Sequence, residues 1–142
     1  MTTKQTLVGT TTVRPAAIQW LASKFGDTGN TIKASKLHAQ SLWWIDIPQK
    51  DIEKPKPAAI DLLCEVAPGA NKFYYLKVPV EFFKKELPKL WVRKDGKLLR
   101  LHLSAEPEEM FVDRRGNGKI GFSGFLQTHW RGRSHIQNLP DF

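Results

Sequence analysis

The chain has 142 residues, 41% hydrophobic and 25% charged, a balance that excludes a disordered protein and suits one globular domain with its own core. Its net charge of +8 points to polyanionic partners, nucleic acid first and acidic proteins second. The single cysteine, Cys64, excludes an intrachain disulfide and an all-cysteine metal site.

Residues 1–11 are polar and Thr-rich and are expected to fray or to form a short edge strand. A helix is predicted from about Pro15 to Phe25, with Pro15 in the first turn and Gly26 as the stop. Ile18, Leu21, Ala22 and Phe25 recur at helical spacing and form its expected apolar stripe. From Trp43 the pattern changes to strands. Leu42–Ile47 stops at Pro48, and Ile60–Val66 and Lys72–Val78 flank a turn at Pro68-Gly69. Trp43 and Trp44 are adjacent on the first of these, and the sequence leaves open whether they serve the core or a dimer contact. Pro79 opens a short helix carrying Val80, Phe83 and Leu87, which Pro88 ends. Leu90–Lys94 and Lys97–Ser104 then read as a hairpin about a two-residue Asp95-Gly96 turn. Met110–Asp113 and Lys119–Phe122 form a last pair around Gly116-Asn117-Gly118, and residues 128–142 are expected to be a less ordered basic tail. The sum is a single α+β domain: one mostly antiparallel sheet of five to seven strands with two or three short helices packed on it.

Charge is concentrated in residues 84–100, where Lys84, Lys85, Lys89, Arg93, Lys94, Lys97 and Arg100 stand against Glu86 and Asp95. Counting across the hairpin turn sets Trp91 opposite Arg100 and Val92 opposite Leu99. Alternation then gives a core face of Leu90, Val92, Leu99, Leu101 and Leu103. The outer face carries Trp91, Arg93, Leu98, Arg100, His102 and Ser104. An aromatic ring interleaved with guanidinium groups suits nucleic acid, because Arg neutralises phosphates while a flat ring stacks on an unpaired base. The competing reading is a cross-strand cation–π pair on a solvated face. Trp91, Arg93, Arg100, Lys84 and Lys85 are therefore the first candidates for nucleic-acid contact, with Arg114, Arg115, Arg131 and Arg133 second.

Residues 18–35 resemble a helix-turn-helix, with Leu21-Ala22, Phe25 and Gly26 followed by Thr31-Ile32. On that reading Thr28, Asn30, Thr31, Lys33 and Lys36 face the major groove. Asp27 and Ser35 depart from the motif, standing where it buries hydrophobic residues; the alternative is one helix, a loop and a strand.

Asp61 on one strand and Lys77 on the next, in Phe73-Tyr74-Tyr75-Leu76-Lys77-Val78, resemble the layout of the PD-(D/E)XK nucleases. The resemblance implies a Mg²⁺-dependent site of Asp61 and Lys77, with Glu65 standing in because Tyr75 occupies the acidic position. A cross-strand Asp61–Lys77 ion pair is the simpler alternative.

His129 and His135 do not have the spacing of a helical metal pair, and Cys64, between apolar neighbours on a strand, reads as a core cysteine. Arg114-Arg115-Gly116-Asn117-Gly118-Lys119 matches no phosphate-loop fingerprint and reads as a basic hairpin tip. No apolar run nears the roughly 20 residues that span a bilayer. The expectation is a cytoplasmic protein, without cofactor or membrane association, that binds DNA or RNA. A protein-interaction module docking on an acidic partner, with no enzymatic activity, is the alternative.

Overall fold

The structure, a computed structural model, describes residues 12–128. The tails, with His129, Arg131, Arg133 and His135, lie outside the described residues. Helix α1 (Arg14–Phe25) opens the fold, followed by β1 (Thr31–Ser35), β2 (Leu37–His38) and β3 (Leu42–Pro48). After the short α2 (Gln49–Glu53) come β4 (Ala59–Glu65), β5 (Phe73–Pro79) and α3 (Val80–Glu86). Strands β6 (Trp91–Val92) and β7 (Leu98–Ser104) are the last strands among the described residues. The α+β class is as expected, but the strands form two sheets rather than one. The first has the order β1-β4-β5, the second β2-β3-β7-β6, and among the described residues every strand pairing is antiparallel except β1 with β4.

Layering follows from burial. Strand β4 is buried along its whole length because it is central in the first sheet and covered on both faces. One face presents Ile60, Leu62 and Cys64, with Tyr74, Leu76 and Val78 of β5, to a core shared with the second sheet. Trp43, Ile45, Ile47, Leu99, Leu101 and Leu103 fill that core from the other side. The opposite face carries Leu63, Phe73 and Tyr75 and is covered by α1. Each large side chain here contributes on the order of 2 kcal/mol by leaving water. The α1 stripe is rotated from its expected position: Ala17, Trp20 and Leu21 are buried, whereas Ala22 is exposed. Trp20 has the most apolar surface to hide, and it packs edge-on against Phe73 at 5.9 Å.

Helix-turn-helix geometry is absent. After Phe25 the chain turns through Gly26 (φ 77°) and Gly29 (φ 73°), both left-handed, and enters β1 parallel to β4. Asp27 fixes the turn by accepting the Gly29 N–H at 2.9 Å. The Thr31-Ile32 pair, β-branched, continues as strand rather than as a second helix.

The hairpin register is as counted, with Trp91 opposite Arg100 and Val92 opposite Leu99. Its turn is not centred on Asp95-Gly96. Gly96 N–H donates to the Arg93 carbonyl at 2.8 Å, so Lys94 and Asp95 are the central residues and Gly96 (φ 74°) follows them. Asp95 stabilises this form by accepting the Lys97 N–H at 2.9 Å. The expected last strand pair is reduced to one bridge, Val112 with Gly121. Phe111 (φ 65°) and Lys119 (φ 50°) adopt left-handed backbone on either side, which breaks a continuous ladder.

Candidate nucleic-acid interface

Among the described residues no helix covers the outer face of the second sheet. Strand β3 alternates: Trp43, Ile45 and Ile47 point into the core, while Trp44 and Asp46 point out. The register aligns Trp44 with His102, and Asp46 with Arg100, which is in turn opposite Trp91. Neighbouring strands lie about 4.8 Å apart, close to the spacing of stacked rings. Trp44 and His102 therefore stack, and His38 of β2, which is opposite Leu42 and diagonal to Trp44, extends the stack into a ladder. Centroids are 4.3 Å apart for His38–Trp44 and 5.0 Å for Trp44–His102, with interplanar angles of 20° and 16°. Trp44 is nonetheless 46% exposed, the one large hydrophobic side chain among the described residues that reaches solvent to this degree.

The second row is cationic. Arg100 forms a two-pronged pair with Asp46, at 2.7 and 3.1 Å, and its guanidinium lies 5.4 Å from the Trp91 ring centre. Arg115 approaches the same ring more closely, at 4.3 Å. A loop that Asp113 organises delivers Arg115. The wholly buried Asp113 carboxylate accepts backbone N–H groups of His102 at 2.9 Å, Arg115 at 3.1 Å and Gly116 at 3.0 Å. Gly116 lets the loop lie flat on the chain before β6, since a Cβ there would sit 2.4 Å from the Lys89 carbonyl oxygen.

His38, Trp44, Asp46, Arg100, His102 and Arg115 surround a depression of about 490 Å³. Burial, then Lys36, holds the His38 imidazole below its ordinary pKa despite the opposing pull of Glu65. His102 is lowered by burial first and Arg115 second, with Asp113 and Asp46 pulling the other way. Both rings are therefore neutral near pH 7, offering ring nitrogens beside two guanidinium groups.

Of the sequence candidates, Trp91, Arg100 and Arg115 are brought together here. Arg93 sits at the hairpin end of the same face, paired with Asp95 at 2.9 Å. Arg114 turns away to Glu109 at 2.6 Å. Lys84 and Lys85 are on α3, outside the sheet, and Lys84 is paired with Glu81 at 3.4 Å. Sequence reasoning placed His102 on the outer face without naming it as a contact, and did not name His38 or Trp44 as contacts. For Trp44 a usable signal existed, the inward–outward alternation of Leu42–Pro48.

Asp61 and Lys77 are opposite one another in β4 and β5, yet the expected ion pair does not form. Asp61 is fully buried and accepts hydrogen bonds from Thr28 Oγ1 at 2.5 Å, Asn30 Nδ2 at 3.1 Å and Tyr75 OH at 2.8 Å. Lys77 is exposed. Glu65 accepts the backbone N–H groups of Leu37 at 2.9 Å and Gly69 at 3.0 Å. These contacts occupy both carboxylates in joining elements of the fold. Among the described residues, no group of three His, Cys, Asp or Glu side chains is placed to hold a metal ion. Cys64 is buried in the shared core, which pushes its thiol pKa well up.

Among the described residues, no helix is long and apolar enough to cross a membrane. No family model, curated protein or solved structure matches this chain.

Proposed function

We propose that this protein binds single-stranded DNA or RNA on the outer face of its second sheet. One observation carries the reading. A half-exposed tryptophan stands in a ring ladder on an uncovered sheet face, beside a second tryptophan flanked by two arginines. A single strand presents phosphates and unpaired bases together, and this face offers a group for each. Arg115, Arg100 and Arg93 meet phosphates. Bases meet the exposed edge of the His38–Trp44–His102 ladder. Arg100 and Arg93 already have carboxylate partners, so Arg115, which has no ion-pair partner among the described residues, supplies the strongest unneutralised charge. A broad sheet face also suits an open strand better than the groove of a duplex, which takes a helix or a narrow ribbon. A cytoplasmic setting fits this activity.

Fluorescence anisotropy with labelled single- and double-stranded oligonucleotides at two salt concentrations tests the proposal. Single strands are expected to bind more tightly, with affinity falling steeply as salt rises. Trp44→Ala and Trp91→Ala are each expected to cost about 1–3 kcal/mol of binding, as for other base-contacting aromatics. Arg115→Ala is expected to reduce the salt slope by about one contact, whereas Lys84→Ala and Lys85→Ala change little. Absence of binding at low salt would overturn the proposal and favour an acidic protein partner on the same face.

A further inference from the structure

The two imidazoles of the ladder occupy a particular position. Each lies against a face of Trp44, and both line the depression that Arg100 and Arg115 also line. His38 projects from β2 and faces Trp44 of β3; Lys36 from the preceding link and Glu65 of β4 are its charged neighbours. His102 projects from β7 and faces Trp44 and Asp46 of β3, Arg100 of its own strand, and Arg115 and Asp113 of the following loop. In the free protein the depression already concentrates positive charge, and adding protons to either ring works against Lys36 or against Arg115 and Arg100.

An anion reverses that balance. A phosphodiester seated between Arg115 and the ladder supplies the negative charge that an imidazolium needs. A protonated ring in turn gives the phosphate a charge-assisted donor and holds Trp44 by cation–π attraction. We propose that strand binding at this face is proton-coupled, with His38 and His102 taking up protons as a phosphodiester enters the depression. This rests on the reading of the face as a nucleic-acid interface, and it assigns to that face a regulator, the ambient pH. Linkage makes the effect reciprocal: whatever raises the imidazole pKa on binding raises the affinity as the pH falls. Each ring that takes up a full proton adds about tenfold in affinity per pH unit between its free and bound pKa.

The probe is a short oligothymidylate carrying a pH-insensitive dye, because thymine does not titrate in the range used. Anisotropy titrations run from about pH 8 to about pH 5.5 at constant ionic strength, bracketing the ordinary imidazole pKa. Affinity is expected to rise by about tenfold or more across that range, with the rise absent from the H38Q/H102Q double variant. A parallel readout needs no variant. The imidazole C–H resonances of the unaltered protein, titrated with and without oligothymidylate, are expected to show both pKa values moving up on binding. Binding that does not vary with pH would overturn the coupling and leave the interface standing. A pH slope that survives in the double variant, or imidazole pKa values unmoved by the oligonucleotide, would also overturn it. No binding at any pH would overturn the coupling and the interface together.

Discussion

Asp61 shows how one residue type supports two opposite readings. A carboxylate on a strand, with a lysine on the next, has the look of a metal-dependent centre. In the folded chain it is the join between the loop after α1, β4 and β5, receiving Thr28, Asn30 and Tyr75. Burial and the bond to Asp61 push the Tyr75 phenol pKa up, so it remains a donor at all ordinary pH values. Asp61→Ala leaves three buried or half-buried polar groups without their acceptor and is expected to cost about 3 kcal/mol or more of stability. Asp61→Asn keeps one carbonyl acceptor and is expected to cost less. Urea unfolding of both variants checks the order, and an Asp61→Ala protein as stable as the parent would contradict this role. None of it was legible beforehand, since Thr28 and Asn30 reach Asp61 across more than thirty residues of chain.

At the scale of elements, local pairings were readable and distant ones were not. The β6–β7 register could be counted because only a few residues separate its strands, and alternation then placed Leu99, Leu101 and Leu103 inward. The partner of β7 on its other side is β3, more than fifty residues earlier, so the meeting of Trp44 with His102 had no local trace. The loop after Asp113 is the other element that matters, because it delivers Arg115 to Trp91. Gly116→Ala forces a methyl group against the Lys89 carbonyl and is expected to cost about 1–3 kcal/mol of stability. It should also weaken oligonucleotide binding by shifting Arg115. Gly124→Ala, where an added Cβ meets nothing within 4 Å, is the matched control and should leave both unchanged. Thermal melts and anisotropy on the two variants measure the contrast.

For the molecule as a whole, the α+β class was legible from composition and alternation, but β1 and β2 were not predicted, the Met110–Asp113 and Lys119–Phe122 strands did not form, and the division into two sheets had no trace. That division depends on β4 being central in its sheet and covered on both faces, which its two carboxylates, Asp61 and Glu65, disguise, because a strand with charges on one face reads as solvated on that side. Its consequence is global: α1 covers one outer face and leaves the other open. The histidines of the open face then tie stability to pH. Their pKa values are lowered in the folded state, so the unfolded chain binds more protons as the pH falls through the ordinary imidazole value. Stability contributed by the two neutral rings is complete well above about pH 6.5 and is lost progressively below it. The melting temperature of the free protein is expected to drop between about pH 7.5 and pH 5.5, and to drop less in the H38Q/H102Q variant. The sign is opposite to that for strand binding, because a bound phosphate stabilises the same protons that weaken the free fold.

Trp44, held face to face with two imidazoles, is also a natural reporter. An imidazolium in van der Waals contact with an excited indole accepts an electron from it and darkens its emission. Acidifying the protein should therefore dim its fluorescence at the long-wavelength edge, where a half-exposed indole contributes most, and Trp44→Phe should abolish the change. The ladder would then announce its own protonation in light, with no label attached.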